Sequence, residues 1–159
     1  MEDKPLHFLY PAALFASATP HKVSTILGSC VAVCLYDPIS KIGGINHYML
    51  PLWNGQGLAS PKYGNIAIER LVEKMVSLGA KRSNLQAKVF GGGEVIETTI
   101  SQFNIGARNI QLAFEALEDL RIPILAKSVG GKLGRKIEYD TATGEVKQRY
   151  IEKTLGQSQ

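Results

Sequence analysis

Between Leu27 and Leu50 apolar runs of strand length alternate with turn signals, Asp37-Pro38 closing the first run and Gly43-Gly44 opening the second. Runs this short, bounded by such residues, read as two neighbouring strands and leave no room for a helix. Helical spacing is confined to two stretches. From Tyr63 to Leu78 it places Ile68, Leu71, Val72 and Met75 on one face, with Gly79 as a stop. A second helix runs through Ile110, Phe114, Leu117 and Leu120, with Asn104 as its expected cap and Pro123 beyond its end. Further strands are expected over Leu85–Phe90 and Ile122–Lys127, and Lys136–Asp140 should pair with Glu145–Ile151 across Thr141-Ala142-Thr143-Gly144. Hairpins mixed with two helices predict an α+β, or mixed α/β, layered sandwich.

The chain has 159 residues, 45% of them hydrophobic, enough for one substantial core, so residues 1–159 are expected to form a single domain. Lysine and arginine number 18 against 14 aspartate and glutamate. That excess favours an acidic partner surface only mildly, and it lacks the clustered basic stripe of a nucleic-acid groove. The N-terminus begins Met1-Glu2-Asp3-Lys4 rather than with positive charge, and no segment reaches the roughly 18 apolar residues of a membrane span. A cytoplasmic protein is expected. From Glu152 onward the polar residues read as a mobile tail.

The two cysteines, Cys30 and Cys34, would lie about 13 Å apart on one strand, beyond disulfide reach. Their spacing is no zinc signature either, and no second cysteine or histidine pair accompanies it. Gly91-Gly92-Gly93 is followed by no Gly-Lys-Ser/Thr and opens no GxGxxG helix, so neither a nucleotide nor a metal is expected.

Cys30 ends the turn Leu27-Gly28-Ser29 just where an apolar strand begins, and His47 sits in the next strand. A sharp turn there can hold a sulfur at a sheet's end with backbone N–H groups nearby, as a thiol nucleophile requires. The plainer reading is a small buried hydrophobe, the usual fate of a free cysteine. Strand parity puts His47 with Ile45 and Met49, either as a core histidine satisfied by one hydrogen bond or as an imidazole lining a pocket. Asn104-Ile105-Gly106-Ala107-Arg108-Asn109 likewise serves either capping or substrate contact. Trp53, in the glycine-rich loop Leu52–Pro61, is either a hydrophobic plug or part of a cleft rim, to which Gly91–Gly93 would also contribute.

Four strings, Leu27–Pro38, Gly44–Pro51, Asn104–Asn109 and Gly130-Gly131 before Arg135, stand in an order and spacing that together resemble CheD, the chemoreceptor glutamine deamidase family. The likeness spans roughly Val23 to Ile151. It implies removal of ammonia from glutamine side chains on the helical cytoplasmic arms of chemoreceptors. It also implies a sandwich similar to the catalytic domain of cytotoxic necrotizing factor toxins, and a Cys-His-Thr triad that needs no cofactor. Cys30 and His47 match the first two members. The third stands six residues before the cysteine, at Ser24, with Thr25 beside it. A serine hydroxyl keeps threonine's donor and acceptor capacity, and Ser24 is the expected third catalytic residue, with the register open by one position. Family members also bind CheC, a phosphatase, which makes it a candidate partner here. Other readings are a thiol esterase or transglutaminase sharing the acyl-enzyme, and a non-catalytic adaptor acting by occupancy.

Overall fold

The computed structural model describes residues 4–94 and 104–152. The proposed mobile tail falls, except for Glu152, outside them. Strands β1 (Leu6–Phe8), β3 (Lys22–Leu27), β8 (Gly134–Asp140) and β9 (Val146–Ile151) form a four-stranded sheet in the order β1-β3-β8-β9. Strands β2 (Leu14–Ser17), β4 (Val31–Asp37), β5 (Ile42–Asn46), β6 (Gln86–Gly91) and β7 (Ile124–Val129) form a five-stranded sheet in the order β2-β5-β4-β6-β7. Helices α1 (Gly64–Ser77) and α2 (Ile105–Asp119) complete the α+β architecture. No helix among the described residues is long and apolar enough to cross a membrane.

Alternation along β4 generates the layers. Val31, Val33 and Leu35 pack toward the helices, with Ile68, Leu71, Val72 and Met75 of α1 and Leu112, Ala113 and Leu117 of α2. Ala32 and Cys34 face the opposite way, into a second core with Val23, Leu27, Ile45, Phe90, Ile137 and Tyr139 between the two sheets. A strand covered on both faces can be apolar at every position, which is why Val-Ala-Val-Cys-Leu forms one unbroken run. The α1 stripe seats on β5 because Gly44 has no side chain: a Cβ there would come within 2.8 Å of both Leu71 and Met75.

The β4–β5 antiparallel pair and the β8–β9 hairpin form as the sequence predicts. Strands β1, β2 and β3 lie outside the segments that the sequence pattern predicts as strands. The first two are edge pieces of three and four residues, and Pro11 in the linking segment masks their alternation. Asn104 does stand at the start of α2, yet its side chain makes no capping bond. Its left-handed backbone, φ 33° and ψ 50°, replaces the extended conformation from which a cap side chain turns back onto the first helical N–H groups.

Candidate active site

Thr25 lies in β3, Cys30 just before β4 and His47 just after β5, where the two sheets face each other. Backbone bonds between Val31 and Tyr48, 3.1 and 2.9 Å, fix the register at this end of β4. That register continues the Cys34–Ile45 pairing, so Ala32 stands opposite His47 and Cys30 opposite Met49. Cys30 and His47 are therefore diagonal neighbours by register on the face turned toward the four-stranded sheet, a relation with Cα atoms about 7–8 Å apart, and no hydrogen bond joins the Cys30 sulfur to His47 Nε2. Cys30 is half-buried against the inter-sheet core, whereas Cys34 is buried within it.

The hydroxyl on His47 is that of Thr25, not of Ser24. Thr25 Oγ1 lies 2.7 Å from His47 Nδ1 and 2.7 Å from the Leu9 carbonyl oxygen. Strand parity is the reason: Val23, Thr25 and Leu27 point into the inter-sheet core, while Ser24 and half-exposed Ile26 point to the other face. The expectation that Ser24 touches the imidazole is thus corrected by one residue.

The Thr25 bonds settle the tautomer. A carbonyl only accepts, so the single hydroxyl hydrogen goes to Leu9, and Oγ1 is left to accept from His47 Nδ1–H. Nε2 then carries a bare lone pair, and it is buried with no hydrogen-bond partner among the described residues. Burial also disfavours the charged imidazolium, lowering the His47 pKa from 6.5 to about 4. The same desolvation raises that of the Cys30 thiol. Both shifts favour a neutral thiol and a neutral, basic imidazole over an ion pair at rest.

The turn carrying Cys30 is buttressed from below. Gly92 N–H donates to the Cys30 carbonyl at 2.8 Å and Gly93 N–H to the Gly28 carbonyl at 2.9 Å. Gly91 and Gly92 have φ of 110° and 72°, and a Cβ on Gly91 would come within 2.3 Å of the Cys30 oxygen. Gly91–Gly93 is therefore a buried support under the turn, not the cleft rim that the sequence suggested. Beneath it lies Arg135, 2% exposed, whose guanidinium donates to the carbonyls of Gly91, Ser128 and Gly130 at 2.8, 2.8 and 2.6 Å. The Gly130-Gly131 motif before Arg135 gives that residue no role of its own in the sequence. Its signal was a charged residue in an inward-facing position, since it pairs with Leu27 of β3. Trp53 is half-buried, and its indole N–H donates to Gln56 O at 3.0 Å within its own loop. Among the described residues no group of three or more His, Cys, Asp or Glu side chains is placed to hold a metal.

Cys30, His47 and Thr25 thus bring to the inter-sheet gap a thiol, an imidazole with an unbonded nitrogen and a hydroxyl on that imidazole, the side-chain types that a cysteine hydrolase uses. A family model described as CheD chemotactic sensory transduction matches residues 49–150. A protein of Trichlorobacter lovleyi is 51% identical over 140 residues, covering 88% of this chain and 87% of its own. One from Sulfurimonas denitrificans is 46% identical over 153 residues, covering 92% and 95%. Both are described as probable chemoreceptor glutamine deamidase CheD. The chain belongs to the CheD family. The matched segment begins after His47, so the arrangement of Thr25, Cys30 and His47 is an observation independent of that match.

Proposed function

We propose that this chain is a protein-glutamine deamidase acting on chemoreceptors, with Cys30 as nucleophile, His47 as general base and acid, and Thr25 holding the imidazole. The observation that carries this reading is His47, whose protonated Nδ1 is tied to Thr25 while its Nε2 is left without a partner on the sheet face that it shares with Cys30. The activity for which the relatives are named fits that pair.

A glutamine carboxamide is a poor electrophile, so sulfur must attack as thiolate. As the thiol proton passes to His47 Nε2, the sulfur bonds to the amide carbon and the carbonyl oxygen takes up negative charge. Backbone N–H groups of Ser29 and Cys30 are the natural donors to that oxyanion, each worth about 3 kcal/mol. Among the described residues neither makes a backbone hydrogen bond. The imidazolium then protonates the departing nitrogen. Ammonia leaves, and a γ-glutamyl thioester remains on Cys30. Water, deprotonated by the same neutral His47, attacks the thioester; glutamate is released and the thiol restored. No step requires a cofactor. Thr25 Oγ1 accepts from Nδ1 throughout and stabilises the positive ring whenever it forms.

The substrate side chain would come from a helical receptor arm, which places the enzyme in the cytoplasm. We infer a CheC-type phosphatase as a second protein partner from the same family, a relation that co-purification tests. The enzymatic reading is tested by incubating the protein with a receptor fragment and following ammonia release together with mass-spectrometric conversion of glutamine to glutamate. Cys30→Ala must abolish both. Incorporation of an added primary amine in place of glutamate would instead mark a transglutaminase, and full biological activity of Cys30→Ala would mark an adaptor.

A further inference from the structure

We propose that Asn109, in the second turn of α2, is a positioning residue that sets the approach of Cys30 to His47. The inference rests on the catalytic reading of that pair. Asn109 is fully buried, and its side-chain nitrogen donates at 3.0 Å to two carbonyls, those of Ser29 and Met49. Ser29 immediately precedes the nucleophile, and Met49 follows the base by two residues. Because both neighbours only accept, the amide must present its NH2 to them, which fixes its orientation.

The bridge stands where the sheet itself provides no connection. Val31 and Tyr48 make the last reciprocal backbone pair between the two strand segments. Beyond it the His47 segment turns away from β4, for the N–H groups of Met49 and Leu50 both go to the Lys62 carbonyl, at 2.8 and 3.0 Å. Cys30 and Met49 would otherwise stand at an open fork. Asn109 closes that fork with one amide, one hydrogen to each branch. Its own backbone carbonyl accepts from the Tyr48 phenol at 2.6 Å, fastening the helix to the residue next to His47. Backbone contact holds the helix close as well, since a Cβ on Gly106 would meet the Gly92 oxygen at 2.4 Å. The Ser29 and Met49 carbonyls, on the segments that carry Cys30 and His47, cannot move apart without breaking one of the Asn109 bonds.

The test compares Asn109→Leu, which keeps the branching at Cγ and removes both donors, with His47→Ala and with the double variant. Two quantities are read: kcat and KM on a receptor fragment, and the pH profile of Cys30 alkylation by iodoacetamide. A misplacement near 1 Å costs about 100-fold in rate, so Asn109→Leu should lose that much in kcat with KM little changed. Its alkylation profile should collapse onto that of His47→Ala, and the double variant should lose nothing further. Unchanged kcat and alkylation with only a lower melting temperature would overturn the proposal, as would additive losses in the double variant. Asn109→Ser, which leaves the bridge too short, is read in the same way should the leucine variant not fold. Activity surviving in Cys30→Ala would refute the catalytic reading itself, an outcome distinct from a harmless Asn109 substitution.

Discussion

Thr25→Val is the sharpest probe of the site, because it keeps the shape of the side chain and deletes only the hydroxyl between His47 and Leu9. Two bonds of 2.7 Å disappear. In the ground state the imidazole loses the acceptor that kept its proton on Nδ1, so Nε2 is no longer reliably bare. When the ring becomes imidazolium, the lost bond is to a charged donor, worth about 1.5–3 kcal/mol. At 1.36 kcal/mol per tenfold, kcat should fall by about 10- to 150-fold. The Leu9 carbonyl, left without its partner, should also cost about 1–3 kcal/mol of stability, read as a lower urea midpoint. Thr25→Ser restores the hydroxyl and should recover most of the rate. Ser24 points away from the ring, and Ser24→Ala should keep the activity. Ammonia release from a receptor fragment is the assay, with imidazole nitrogen shifts by NMR reporting the tautomer directly. If Ser24→Ala lost the activity and Thr25→Val kept it, the assignment of the third residue and the tautomer argument would both fall.

Acidification is a second probe. Unfolded, His47 takes up a proton near its ordinary 6.5, whereas in the fold it resists protonation until about 4. Between those values the unfolded chain binds more protons, so stability falls as pH drops, by up to about 3 kcal/mol once pH is below 4. Urea midpoints across that range should show this slope in the parent and lose it in His47→Gln; an equal slope in both would refute it. The acid limb of kcat/KM should accordingly lie near 4 rather than 6.5, in a pH–rate profile on the receptor fragment. Arg135→Met removes the donors to three carbonyls, each costing about 1–3 kcal/mol if left unpaired, and should lower the melting temperature while slowing Cys30 alkylation. Gly106→Ala forces a Cβ to 2.4 Å from the Gly92 backbone oxygen and should likewise displace the turn under Cys30, seen as reduced alkylation at unchanged pH.

Strands β4 and β5, which Cys30 precedes and His47 follows, could be read from the chain because Asp37-Pro38 closes β4, a local signal that needs no tertiary partner; Gly43-Gly44, a turn signal in the sequence, instead lies paired inside β5. Helix α1 was equally accessible, since its buried stripe of Ile68, Leu71, Val72 and Met75 follows the helical period. Asn109 and Arg135 were not. Their work is to donate to carbonyls of residues far off in sequence, and nothing in the local pattern marks which carbonyls the fold will leave open. Gly91–Gly93 misled for a related reason: a glycine-rich turn looks alike whether it opens to solvent or passes beneath another backbone.

The third member of the site differs from these, because the information was present and pointed to Thr25. Had Lys22–Leu27 been read as a strand, Val23 and Leu27 would have marked its buried face and Thr25 would have fallen between them on the same side, with Ser24 on the other. Family spacing counts residues along the chain, whereas catalysis depends on which way a side chain points, and in a strand an error of one in the count reverses the direction. Parity selects the residue whose hydroxyl can enter the gap between the sheets, and only such a hydroxyl can meet an imidazole that is itself 2% exposed.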